Sequence, residues 1–218
     1  MTLEFSKFFT QLHNLHPVPD IQNQQHMLIV GCSHTYGTGI HYDDCYAKQL
    51  EKHYNVVSIN LGIPGGNHTI CSNNILQWIQ SGRRPKFIVA QWPNAIRRVS
   101  WIDNIGQTEN IGSCGSTFRS ILRDSEENFY ADWLSSIIST NMLCNAMNIP
   151  IINLLLDNME PRYFTPLNFY SIDLHIDEKQ PNRTWFFDAG ASDGLHHSAV
   201  CHRKWAERLI GIIDENTT

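Results

Sequence analysis

The sequence predicts an α/β fold in which a parallel sheet is covered by helices on both faces. Four short apolar runs of buried-strand character recur along the chain, at Met27–Val30, Val56–Leu61, Phe87–Ala90 and Pro150–Leu156. Stretches with apolar residues at helical spacing alternate with them, and right-handed crossovers place such helices on both sides of a sheet. A chain of 218 residues suits a single domain with a substantial core.

The elements follow in order. Leu3 to Leu15 is amphipathic and leads through a polar, proline-bearing link to the first strand, which ends at Gly31. Asp43 or Asp44 can cap a helix running to about Tyr54, because a short carboxylate accepts from the unpaired N–H groups of a first turn. The second strand ends in the turn-rich Gly62-Ile-Pro-Gly-Gly66, and a helix from about His68 to Gln80 carries Ile70, Ile75, Leu76 and Ile79 towards the core. After the third strand, residues from about Arg98 to Glu127 are rich in Gly, Ser and Asn. This is far longer than an ordinary connection of about 2 to 6 residues and reads as an insertion that walls a site. Phe129 to Asn148 is a strong helix with Trp133, Ile137, Ile138, Met142 and Met147 as its apolar set. A long loop to about Thr184 has room for a short fifth strand, and a last helix from Ser198 to about Asp214 turns Val200, Trp205, Leu209, Ile212 and Ile213 inward. No repeat or low-complexity tract interrupts this order.

Composition narrows the function classes. Charged residues make up 17% and the net charge is −5, so no basic field exists for a phosphate backbone, and nucleic acid is not an expected partner. No run approaches the roughly 18 apolar residues of a membrane span, and the first residues lack the pattern of a secretory signal. A cytoplasmic protein without a membrane partner is expected. The six cysteines (Cys32, Cys45, Cys71, Cys114, Cys144, Cys201) are scattered without a C-x-x-C, which suits reduced thiols. Glycosylation motifs at Asn67, Asn182 and Asn216 are then chance matches.

Ligands bind beyond the carboxyl ends of parallel strands, and the unusual residues collect there. Gly31-Cys-Ser-His-Thr-Tyr-Gly-Thr-Gly39 follows the first strand. It lacks the G-K-[ST] of a phosphate loop and the glycine spacing of a dinucleotide fingerprint, and Thr35 stands where a G-x-S-x-G elbow needs glycine. It offers a serine on a strand-to-helix turn. Taken alone, Ser33 reads as a turn or cap residue. Near the last helix, Asp193 and His196 are three apart, so within one turn the carboxylate can orient the imidazole while the other ring nitrogen faces a serine hydroxyl. His197 competes with His196 for this role. His197, Cys201 and His202 have some look of a metal set, but structural zinc needs a fourth ligand and closer pairing. His34, His41 and His68 read as polar loop residues, with ion coordination the alternative. Arg97 and Arg98 follow the third strand, where one of them either clamps a carboxylate or phosphate of a substrate or is solvated or internally paired.

Gly31-x-Ser33-x-Thr35-x-Gly37 resembles the first block of the SGNH/GDSL hydrolases, with Cys32 where an aspartate is usual. Asn60-Leu-Gly-Ile-Pro-Gly-Gly-Asn67 resembles the second block, and Asp193-Gly-Leu-His196-His-Ser198 the last. The third block, usually G-x-N-D, departs: here it reads Gln91-Trp-Pro-Asn94, and Asn94 is either the family's oxyanion donor or a turn residue after Pro93. The resemblance implies a three-layer α/β/α sandwich with a flavodoxin-like parallel sheet. It implies Ser33 as nucleophile, His196 as base, Asp193 as orienter, and the N–H groups of Ser33 and Gly65 with Asn94 as oxyanion hole. It implies no cofactor. The expected activity is hydrolysis of an ester, such as an O-acetyl or short acyl group on a carbohydrate or small molecule. Acyl transfer uses the same residues, and a binding or assembly module on the same fold is the rival from another class.

Overall fold

The computed structural model describes residues 16, 18–21, 24–95, 97–102, 105–110, 126–155, 169–171, 190–194 and 196–217, so the amphipathic start at 3–15 lies outside the described residues. The main sheet consists of β1 (His26–Gly31), β2 (Val57–Gly62), β3 (Ile88–Trp92), β6 (Ile151–Leu155) and β7 (Phe169–Ser171). It is wholly parallel, in the order β2-β1-β3-β6-β7. Between β3 and β6 the chain makes a separate antiparallel hairpin, β4 (Arg97–Ile102) and β5 (Ile105–Asn110). The helices are α1 (Ser33–Tyr36), α2 (Tyr46–Tyr54), α3 (His68–Gln80), α4 (Glu126–Ala146) and α5 (Ala199–Thr217).

Successive strand residues point to opposite faces, and here both faces are buried. Leu28, Val30, Ile59, Leu61, Ile88, Ala90 and Trp92 pack with Ile75 and Trp78 of α3 and Trp133 and Ile137 of α4. Met27, Ile29, Val89, Ile152 and Leu154 pack with Tyr46, Ala47 and Leu50 of α2 and Trp205, Leu209 and Ile213 of α5. These two apolar layers define the α/β/α sandwich, and each fully buried aliphatic side chain stabilises it by about 1.5–3 kcal/mol. Asn153 of β6 interrupts the first layer. It accepts from Trp92 Nε1 at 2.9 Å and exchanges amide hydrogen bonds with Asn141 of α4 at 2.8 and 3.0 Å, so the buried polar groups satisfy one another.

Several expectations change in detail. Asp43 and Asp44 do not cap α2; Tyr42–Asp44 is a 3-10 turn, and the first N–H of α2, on Tyr46, donates instead to Nδ1 of His202 on α5 at 3.2 Å. A tertiary contact thus supplies the cap. Leu76, Met142 and Val200 face solvent at 38%, 66% and 52% exposure. Polar residues take the inward positions beside them: Thr140 and Asn141 on α4, His202 on α5. The insertion begins as the β4–β5 hairpin, residues 111–125 lie outside the described residues, and α4 starts at Glu126, three residues ahead of the expected start. The fifth strand, β7, lies within the long loop where it was expected. Cys32, Cys45, Cys71, Cys144 and Cys201 are buried free thiols; burial raises those of Cys45 and Cys71 and pushes that of Cys144 up to about 12. No helix among the described residues is long and apolar enough to cross a membrane.

Candidate active site

With the sheet order read as 2-1-3-4-5, the order in which strands are added reverses between β1 and β3, and the crevice beyond their carboxyl ends is where such sheets hold ligands. Ser33 stands at this point. β1 ends at Gly31, Cys32 makes the turn in an extended conformation, and Ser33 is the first residue of α1, 7% exposed. The turn is tight enough that a β-carbon at Gly31 would collide with Thr35 Oγ1 and lie 2.7 Å from its Cβ. Thr35 is itself fixed: its hydroxyl donates to Gln91 Oε1 of β3 and accepts from Tyr46 OH at 3.0 Å. Three elements therefore lock the conformation of the serine turn.

The second loop is tied to the first. Ile63 N donates to Gly31 O at 3.0 Å, and Asn60 bridges by donating from Nδ2 to Thr35 O at 2.8 Å and accepting Gly62 N at 2.9 Å. Ile63 to Gly66 form a turn closed by Gly66 N donating to Ile63 O at 2.7 Å, with Pro64 second and Gly65 third at φ 75°. That is the position of a type II turn that asks for glycine. Gly66 thus closes the turn, while Gly65 sits at its exposed apex. Asn67 is 2% exposed and caps α3, its Oδ1 accepting from Ile70 N at 3.0 Å.

The third loop leaves β3 through Pro93, whose carbonyl accepts Trp133 Nε1 at 2.8 Å. Asn94 is half-buried, and its backbone carbonyl accepts Arg97 N at 3.1 Å, closing a turn into β4. Arg97 is half-buried with its Nη1 enclosed, and Asn67 Nδ2 donates to its carbonyl at 3.5 Å. The side chain of Arg98 lies outside the described residues.

The fourth loop carries Asp193 and His196. Ser192 N donates to Gly39 O at 2.9 Å, holding this loop against the segment that follows α1. His196 Nδ1 lies 2.6 Å from Asp193 Oδ2, and the His196 N–H donates to Asp193 Oδ1 at 3.1 Å. The two side chains are 21% and 30% exposed, so water reaches the pair. His197 lies beside it, between His34 and Trp205. It is buried, with its ring 4.8 Å from the Trp205 indole in an edge-on contact. Ser198 caps α5, its hydroxyl accepting from Val200 N at 3.1 Å and Cys201 N at 3.3 Å.

His34 joins the two halves of the site. Its ring centroid lies 5.2 Å from that of His196 and 4.8 Å from that of His197. Burial, then the nearby His197, His196 and His202 imidazoles and the Arg97 guanidinium, hold it well below the ordinary histidine range, so it is neutral at pH 7. In the sequence, His34 reads only as a loop residue and Gln91 only as the start of the departed third block, with no sign of the Asn60 bridge to Thr35 or of the Thr35–Gln91 bond. Only the N-x-G spacing at Asn60 carried a signal.

No family model and no curated protein matches the chain in sequence. Solved structures do resemble it. A lipolytic protein of the G-D-S-L family from Desulfitobacterium hafniense aligns with a TM-score of 0.57 and 9% identity, over 86% of this chain and 99% of that one. An acylhydrolase from Bacteroides fragilis aligns at 0.54 and 14%, over 97% of both chains. A carbohydrate esterase whose active site is described as displaying divergent catalytic and non-catalytic binding functions aligns at 0.55 and 10%, over 92% of this chain and 67% of that one. The chain has the three-layer α/β/α fold of the SGNH/GDSL hydrolases.

Proposed function

We propose that the protein is a serine hydrolase that cleaves esters through an acyl-enzyme intermediate, with an O-acetyl or other short acyl group on a carbohydrate or small molecule as substrate. The observation that carries this reading is the His196–Asp193 pair at 2.6 Å, set against the residue that follows Ser33 at the switch point of the sheet. Ser33 Oγ attacks the acyl carbon as the imidazole of His196 takes its proton. Asp193 fixes the tautomer and steadies the imidazolium. The carbonyl electrons move onto oxygen, which the N–H groups of Ser33 and Gly65 and the amide of Asn94 receive. On collapse, His196 returns the proton to the departing alcohol. Water then repeats the sequence on the acyl-serine and releases the acid. The β4–β5 hairpin forms a wall of the substrate pocket in this reading, and the scattered thiols suit a reducing compartment such as the cytoplasm.

A serine-reactive fluorophosphonate tests the nucleophile directly. Labelling of the wild-type chain at Ser33, lost in Ser33→Ala together with turnover of 4-nitrophenyl acetate, is the expected result. Labelling elsewhere, or turnover surviving Ser33→Ala, overturns the reading.

The departed third block favours one other reading, a binding or assembly module for a glycan or partner protein. The Asn94 backbone closes a turn into β4, and the flanking glycine and aspartate of the family pattern are missing. An acetylated oligosaccharide that binds and is recovered uncleaved would support that alternative.

A further inference from the structure

Arg97 is a half-buried cation with one guanidinium nitrogen turned inward. Nη1 of its guanidinium is fully enclosed and meets no hydrogen-bond acceptor, and among the described residues no carboxylate pairs with it. Other arginines of the chain are accommodated. Arg83 donates to Ser81 Oγ at 3.3 Å and lies 4.6 Å over the Trp78 ring, and Arg84 donates to Ile79 O at 3.0 Å. A side chain of this length at the start of a hairpin has the reach to carry its charge into water. Enclosing part of a guanidinium without an acceptor is unfavourable.

The backbone explains why it stays. Arg97 N is bound to Asn94 O at 3.1 Å and Arg97 O to Asn67 Nδ2 at 3.5 Å, so the residue is fastened to both the second and the third loops. Its charge acts on His34, next to Ser33, and on Cys71 in the first turn of α3. The other groups acting on His34 are imidazoles, and the nearby carboxylate of Asp193 is engaged by His196. Beside His34 there is thus a positive charge that, among the described residues, no carboxylate pairs with, the one at Asp193 being engaged by His196.

We propose that Arg97 receives a carboxylate on the substrate, so that the ester cleaved at Ser33 carries a negative charge close to the scissile carbonyl. This rests on the hydrolase reading. The guanidinium fork matches a carboxylate with two parallel N–H···O bonds. A net charge of −5 supplies no wider positive field, which suits a small singly charged ester better than a polyanion.

The test compares each charged ester with an uncharged partner on the full chain. Mono-4-nitrophenyl succinate against 4-nitrophenyl butyrate places the charge on the acyl side, and 4-acetoxybenzoate against its methyl ester places it on the alcohol side. The expected result is a kcat/KM ratio of charged to uncharged ester of at least tenfold in one pair. Arg97→Gln should collapse that ratio and Arg97→Lys restore part of it, with thermal midpoints equal to or above wild type. A ratio near one in the wild type, or a ratio unchanged in Arg97→Gln, overturns the proposal. Should the chain neither turn over these esters nor take the fluorophosphonate label, the hydrolase reading fails, and glutarate then tests the anion site alone. A midpoint raised by glutarate in the wild type but not in Arg97→Gln upholds a carboxylate site at Arg97, and equal responses overturn it.

Discussion

Asp193 holds His196 by both of its oxygens, one 2.6 Å from the ring nitrogen Nδ1 and the other accepting the backbone N–H of the same residue at 3.1 Å. The carboxylate therefore cannot rotate to serve the ring without also fixing the loop. Asp193→Asn keeps the shape and presents an amide that permits the wrong tautomer. We expect kcat to fall by roughly 10³- to 10⁴-fold with a thermal midpoint close to wild type. Steady-state kinetics beside a melting curve checks this; a loss under tenfold would remove Asp193 from the mechanism.

Asn94 separates two roles. As an oxyanion donor, its replacement by alanine should lower kcat by roughly 100- to 1000-fold with little change in KM, since the bond strengthens as charge develops. As a turn residue, the same change should cost about 1 kcal/mol of stability and leave kcat of the folded protein intact. We expect the first outcome.

Histidines set the acid limit of stability. His34 is held below its ordinary value of 6.5 by burial and its cationic neighbours, and His26 by burial and then Arg83, against a backbone bond to Gln24 that works the other way. His26 Nε2 also accepts Trp78 Nε1 at 3.0 Å, a bond that protonation would break. Both rings are neutral in the folded state and charge more readily when unfolded. Their contribution is complete above about pH 6.5 and is lost as pH falls towards the folded values, by up to about 1.4 kcal/mol per pH unit for each proton. The thermal midpoint should drop between about pH 7.5 and 5.5, and His34→Gln should flatten that drop.

The buried amide pair carries a stability prediction. Asn153→Leu strands Trp92 Nε1 and the Asn141 amide, each at a cost of about 1–3 kcal/mol. In a chain of this size each kcal/mol lowers the midpoint by roughly 2–4 °C. Adding Asn141→Leu should restore part of the loss, because the second leucine removes an amide that the first had left unmatched.

Most of the sheet could be read from the sequence because strands buried on both faces are continuous apolar runs, as at Met27–Val30 and Phe87–Ala90. What stayed hidden was polar. Thr140, Asn141 and His202 take core positions on helices whose apolar spacing pointed to Met142 and Val200, because partners at Ser72, Asn153 and Tyr46 satisfy them. Such pairing crosses 12 to 156 residues of chain and leaves no local trace. The β4–β5 hairpin was read only as an insertion, since Ile105-Gly-Gln-Thr-Glu-Asn110 has no apolar alternation and its pairing with Arg97–Ile102 is set by the ladder alone. At the site, three loops were recognisable as blocks of residues. The bridge from Asn60 to Thr35 and the enclosure of Arg97 depend on which loops meet, and spacing along the chain does not encode that.

The five enclosed thiols among the described residues make the chain its own reporter of opening. Cys32 sits at the serine turn, Cys45 ahead of α2, Cys71 in α3, Cys144 in α4 and Cys201 in α5, so each flanking layer contributes at least one. A sulfhydryl reagent meets none of them until its own region loosens, and then reacts at a rate that measures the free energy of that excursion. Mass-resolved alkylation would thus rank the sandwich's layers by how often each breathes, with no probe introduced into the protein.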